Sequence, residues 1–301
     1  MFEPINSAFF AAVTGARLPA DSFVVGPGVT LQPIYAHVFA SYMVAFSRPS
    51  GPGKPHPGPW CSAGDDVGFD CEFEIFVDES VPAGPIGRLD IGWLCTALLR
   101  LKSGIKLRAP VIANRSFALA PQTGVPALTL VPMETSSSQW PSEETIRRAL
   151  GHDDLWWLRE QYPKALKLMA DPIFARAFGT YDGAAWQLSI PAAVLSLCAS
   201  LEALMRPGRQ DMTKTLARIV AAYLSDEPVL RGAHYQAIID IFGYRGNSAH
   251  AAHWLPIEIW HATQLLLRPV FIQCLETGEL PDPERLKEEW RRIPPEPRKP
   301  K

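Results

Sequence analysis

Ile238-Ile239-Asp240-Ile241-Phe242-Gly243-Tyr244-Arg245-Gly246-Asn247-Ser248-Ala249-His250 is the stretch from which this chain is read. Ile238, Ile241 and Phe242 recur at the spacing of one buried helix face, and the next position on that stripe is Arg245. A guanidinium on an apolar stripe is costly unless an anion pairs with it. Glu202 and Asp240 are the candidate partners within the chain. Gly246 is expected to release the helix, with Asn247, Ser248 and Ala249 carrying the chain on to His250. An Arg and a His with four residues between them bring together two useful groups. The imidazole moves protons, and the guanidinium holds a phosphate.

Outward from this stretch the sequence is helical. Trp186 to Met205 places Val194, Leu197, Leu201 and Leu204 on one face. Asp211 reads as the N-cap of a second helix bearing Leu216, Ile219, Val220, Tyr223 and Leu224. A third begins near Val229 and carries Leu230, Ala237, Ile238, Ile241 and Phe242 on its buried stripe. The fourth starts at Pro256, continues through Leu266, Leu267, Val270, Phe271 and Cys274, and meets a C-terminal cap at Gly278. Pro269 is expected to kink it. Four amphipathic helices with short connections predict a bundle over residues 186–280. Residues 136–185 read as a helical connector, with Ser142 as a cap in Pro141-Ser142-Glu143-Glu144. The basic, Pro-rich residues 281–301 are expected to be disordered.

Residues 1–135 differ in character, and an α+β domain is expected there, ahead of the all-α bundle. In Cys71-Glu72-Phe73-Glu74-Ile75-Phe76-Val77-Asp78, Phe73, Ile75 and Val77 alternate with acids on the other face. Phe23 to Val25, Ile34 to Phe46, Ile105 to Ile112 and Ala127 to Met133 are further strand candidates. Leu94, Leu98 and Leu101 within Ile86 to Leu101 predict a helix packed on the sheet. Arg48 to Pro59 alternates Pro and Gly too densely for helix or central strand, so it reads as a long surface loop. The junction between the halves is placed near Ser136 to Gln139.

Composition narrows the function classes. With 301 residues, 47% of them hydrophobic, the chain can build one large core or two ordinary ones. A net charge of −2 gives no global basic field, so nucleic acid would need a local patch. Cys61, Cys71, Cys95, Cys198 and Cys274 are odd in number and scattered, which fits reduced thiols and a cytoplasmic setting. The N-terminus lacks a basic n-region, and no apolar run approaches the roughly 18 residues of a membrane span. His250-Ala251-Ala252-His253 lacks the zincin Glu and spacing, and His56, Cys61 and Cys71 lack a CxxC pair, so no metal and no cofactor is expected. Ser50-Gly51-Pro52-Gly53-Lys54 lacks the amide donors of a phosphate loop. Asp65-Asp66 and Asp153-Asp154 read as loop or cap acids, and Asp154-Leu155-Trp156-Trp157-Leu158 as packing, with base stacking as the alternative.

The stretch Trp186 to Gly278 resembles a HEPN domain, closest to the Apea-like or abortive-infection group. The matching pieces are Ser200-Leu201-Glu202-Ala203-Leu204-Met205, Leu216-Ala217-Arg218-Ile219-Val220, Ile241 to His250, and Leu265 to Phe271. The resemblance implies a four-to-five-helix bundle, and a metal-independent endoribonuclease with Arg245 and His250 as its catalytic pair. It also implies a homodimer in which two such motifs line one cleft. Tyr244, Asn247 and Glu202 would support the pair. Gly246 stands where the family often has a polar residue, and Ala251 follows His250 where many members have Gly. Arg206, Arg209, Lys214 and Arg218 form a basic run suited to an RNA backbone, or else a solvated helix end. RNA supplies its own nucleophile, the 2′-OH. Bacterial toxin or anti-phage defence is the setting the resemblance suggests, with residues 1–135 binding a trigger or restraining the nuclease. The alternative is a non-catalytic HEPN module for dimerisation or for RNA or nucleotide binding.

Overall fold

The computed structural model describes residues 7–38, 42–45, 47–52, 54, 57–58, 60–63, 69–82, 84, 86–119, 128–134, 149–250 and 255–293. Within these, the side chains at 38, 42–45, 60–63, 69 and 246–250 are not described. The strands are β1 (Phe9–Thr14), β2 (Phe23–Gly26), β3 (Val29–Val38), β4 (Tyr42–Ala45), β5 (Trp60–Ala63), β6 (Phe69–Val77), β7 (Arg108–Ala113) and β8 (Leu130–Pro132). The helices are α1 (Leu89–Ser103), α2 (His152–Met169), α3 (Pro172–Gly183), α4 (Ile190–Met205), α5 (Met212–Leu224), α6 (Pro228–His250), α7 (Ile257–Thr277) and α8 (Pro283–Arg292). An antiparallel sheet followed by helices is the expected α+β-then-α arrangement.

Six strands form one sheet in the order β2-β3-β6-β1-β7-β8, and β4 pairs with β5 as a separate ribbon. The Pro- and Gly-rich stretch from Arg48 joins the two strands of that ribbon. β1 sits at the centre of the sheet, and sequence reasoning did not find it. Its run Phe-Phe-Ala-Ala-Val-Thr barely alternates because both of its faces are covered. Phe9, Ala11 and Val13 enter the main core, while Ala12 joins a second cluster with Cys71, Ala113 and Phe117 on the opposite face.

That second cover corrects the reading of β6. Phe73, Ile75 and Val77 do face the main core. Glu74, expected on the solvent side, has no exposed surface. Its carboxylate accepts from Ser116 Oγ at 2.6 Å and from the Phe117 amide at 2.9 Å.

Helices α4 to α7 form where the periodicity predicts them, with local differences. Leu230, expected on the buried stripe of α6, is 45% exposed, and Arg231 beside it is buried instead. Asp211 precedes α5 but adopts a left-handed conformation (φ 46°) and makes no side-chain cap bond. Gly246 does not end α6, whose backbone stays helical through His250. Residues 283–292, expected to be disordered, form α8, capped by Asp282 and anchored by the buried Leu286. The Ser142 cap and the junction near 136–139 lie outside the described residues. Gly278 caps α7 in the left-handed conformation, as expected, and Pro269 is accommodated inside it.

The sheet and the helices share one core. A continuous apolar cluster runs from Phe9 on β1 through Leu98 on α1 and Phe178 on α3 to Leu286 on α8. Polar ties reinforce it. Arg268 of α7 donates Nε–H to the Leu101 carbonyl at 2.7 Å and also bonds the Lys102 carbonyl, closing the end of α1. Arg100 of α1 grips Asp182 of α3 and Glu134 beyond β8, at 2.6 and 2.9 Å. Trp157 is core, bonding Glu276 at 3.0 Å, whereas Trp156 beside it is 58% exposed and carries Arg159 over its ring. Among the described residues no helix is long and apolar enough to cross a membrane.

Candidate active site

The helical half places Arg245 on the C-terminal part of α6, facing α4. Leu197, Leu201 and Leu204 of α4 and Ile238, Ile241 and Phe242 of α6 are buried. Beside this apolar contact stand Glu202 and Arg245. The guanidinium donates through Nη1 to Glu202 Oε1 and through Nη2 to Oε2, the latter at 3.4 Å. Of the two candidate partners, Glu202 is therefore the one used. Asp240 instead accepts from Gln236 at 2.6 Å.

The pair stands at the margin of the core. Side-chain exposure is 31% for Arg245 and 20% for Glu202. The stripe thus ends in a part-open charge, which needs less compensation than full burial would. The guanidinium lies 5.4 Å from the Phe242 ring centroid, a cation–π contact. Burial raises the Glu202 carboxyl above its usual range, and Arg245 opposes that shift. Burial likewise pushes the nearby Cys198 thiol up to about 12, so it stays protonated at neutral pH.

An arginine has five N–H donors in a rigid fork. Glu202 takes two of those of Arg245, which holds the fork in place, and the other three have no acceptor among the described residues. Position 250 lies five residues further along the same unbroken helix, about 140° around its axis at 3.6 residues per turn. Tyr244, next to Arg245, is 41% exposed. The side chains of Asn247 and His250 lie outside the described set.

The basic run is divided by the fold. Arg206 closes α4 in a left-handed conformation and donates to the Pro281 carbonyl at 2.7 Å. Arg209 and Arg218 line a cavity together with Lys287 and Arg291 of α8, and Lys214 is exposed beside it on α5. The α8 contributions were invisible while residues 281–301 were expected to be disordered. Their one available signal was Pro283 at a helix start with Asp282 before it.

Among the described residues no three His, Cys, Asp or Glu side chains converge as metal ligands would. Asp154 of the Asp153-Asp154 pair accepts from the Gly151 amide at 2.7 Å and so acts as a cap residue. The described cysteines, Cys71, Cys95, Cys198 and Cys274, are free and buried. No family model matches the chain, and no curated protein or solved structure matches it either.

Proposed function

We propose that the chain is a metal-independent endoribonuclease of the HEPN type, with Arg245 and His250 as its catalytic pair. The observation that carries this reading is the state of Arg245. It is part-exposed, lies over the Phe242 ring and is steadied by Glu202 through two of its five donors, on the same helix as His250.

In this reading the 2′-OH of the substrate attacks the adjacent phosphorus. His250 takes its proton or delivers one to the departing 5′-oxygen, a role worth about 10²–10⁴ in rate. Arg245 stabilises the charge gathering on the phosphoryl oxygens with its remaining donors. Glu202 positions the guanidinium, and Tyr244 and Asn247 flank it. Arg206, Arg209, Lys214 and Arg218 contact the RNA backbone. The products are a 2′,3′-cyclic phosphate and a 5′-hydroxyl. A second copy of the chain supplies a second Arg–His motif across a homodimer cleft. Residues 1–135 respond to a trigger through the core they share with the helices.

One observation favours a second reading, a non-catalytic module for dimerisation or for RNA or nucleotide binding. Glu202 already pairs with Arg245 and neutralises its charge.

The two readings part in one assay. Wild type and His250→Ala are incubated with mixed RNA in EDTA, and fragments ending in 2′,3′-cyclic phosphate are measured. The nuclease reading expects cutting by wild type and a loss of at least about 10²-fold in the variant. Equal cutting by both, or none by either while both remain folded dimers, sinks it.

A further inference from the structure

Where the α4–α5 connection meets α8, the surface is concave and basic. The cavity measures about 560 Å³, within the ~300–1,000 Å³ usual for small-ligand sites. Arg209, Asp211, Arg218, Lys287, Trp290 and Arg291 are among its lining residues. Arg209 and Arg291 are far apart in sequence and meet because α8 packs along α5.

The charge is unbalanced. Arg209, Arg218 and Arg291 are exposed and form no ion pair among the described residues. Lys287 lies 2.7 Å from Glu284, whose carboxylate is 81% exposed. Setting Asp211 and Glu284 against the four cations leaves two positive charges in excess.

Two further features act in the same direction. Helix α5 opens at this cavity with no side-chain cap bond and no acid in its first turn, so its positive dipole end faces the cavity with only the Asp211 carboxylate beside it. Trp290 lines the cavity, and its ring is held against Tyr235 with centroids 5.4 Å apart and planes 28° from parallel. The side chain therefore offers a positioned aromatic surface.

We propose that this cavity binds a nucleoside phosphate, with phosphate oxygens on Arg209, Arg218, Lys287 and Arg291 and the base against Trp290. Guanidinium forks match phosphate oxygens in pairs. Two excess charges call for a di- or triphosphate, or for successive phosphates, more than for a single carboxylate. A flat, polarisable base suits an indole face. The same chemistry comes from a free nucleotide or from one segment of a single RNA strand. The site deepens the RNA- or nucleotide-binding reading given above by assigning it a cavity and a ligand class, and it does not need the cleavage reading, although Arg209 and Arg218 serve in both.

Equilibrium binding to the full chain tests the proposal, with His250→Ala as the parent so that RNA stays intact. The probes are ATP, a single-stranded RNA of about eight nucleotides, and inorganic phosphate. ATP or the RNA is expected to bind about tenfold more tightly than phosphate, with affinity falling as salt rises. Arg209→Gln with Arg291→Gln is expected to weaken that binding about tenfold. Both side chains are exposed, and an unchanged melting temperature verifies the fold of the double variant. Tighter binding of ATP assigns the site to free nucleotide, and tighter binding of RNA assigns it to a strand. Phosphate binding as tightly as either, or a double variant binding like its parent, overturns the proposal. A wild-type chain that binds RNA but never cuts it removes the cleavage reading alone.

Discussion

At Arg231 the chain buries a guanidinium completely and surrounds it with acceptors. The side chain donates to the Ser225 carbonyl at 2.6 Å, to the Glu289 and Ile293 carbonyls at 2.9 Å each, and to Asp226 Oδ1 at 2.9 Å. Arg231→Met strands three carbonyls and is expected to cost about 2–4 kcal/mol, read from the urea midpoint. A midpoint equal to wild type would show that water replaces these bonds without loss. Glu74 offers a test by pH. Burial raises its carboxyl above the usual 4.5, against the pull of Ser116 and Phe117. A raised folded-state value means the stabilising contribution is full below about pH 4.5 and is lost as pH climbs through the folded value. Glu74→Gln removes that loss, so its stability relative to wild type should grow as pH rises from 4.5 towards neutrality. Parallel stability–pH curves would refute the account. Neither burial was legible in the sequence, where nothing singles out Arg231 and Glu74 looks like the polar half of an alternating strand. Arg245 and Glu202 were legible as a possible pair, because helix periodicity put the arginine on an apolar stripe.

Helix α8 is the element the sequence hid. Its apolar content is small, but Leu286 is buried and Trp290 packs on Tyr235. Leu286→Ala is expected to cost about 2–5 kcal/mol if α8 is integral to the fold, measured by thermal or denaturant unfolding. A loss under about 0.5 kcal/mol would instead mark α8 as a loosely attached end. The turn that ends β1 is constrained from the other side. Gly15 adopts φ +106°, and a Cβ there would stand 2.5 Å from the Lys106 carbonyl oxygen. Gly15→Ala combines a strained backbone with a clash against main chain, so a loss of at least about 1–3 kcal/mol is expected. Normal stability would mean that the Lys106 segment shifts freely. β1 itself escaped sequence reasoning for a related reason. Alternation appears only when one face of a strand meets water, and here both faces are covered. Helices α4 to α7 were legible because each keeps a wet face.

At the scale of the whole molecule, the two halves that differ in composition are joined by one core and by the Arg268 and Arg100 contacts. Cooperative unfolding in a single transition is therefore expected, with far-ultraviolet circular dichroism and tryptophan fluorescence tracing coincident curves. Two separated transitions would show that the sheet and the bundle fold independently. By itself the sequence determined the α+β start, the four main helices, and the placing of Arg245 beside a candidate acid. Those features rest on local periodicity and turn chemistry, which neighbouring residues settle among themselves. Only the tertiary structure decided which acid holds Arg245, why β1 is central, why Glu74 and Arg231 are buried, and that α8 completes a basic cavity. Each of these depends on surfaces far apart in sequence, and burial is a property of what covers a residue rather than of the residue.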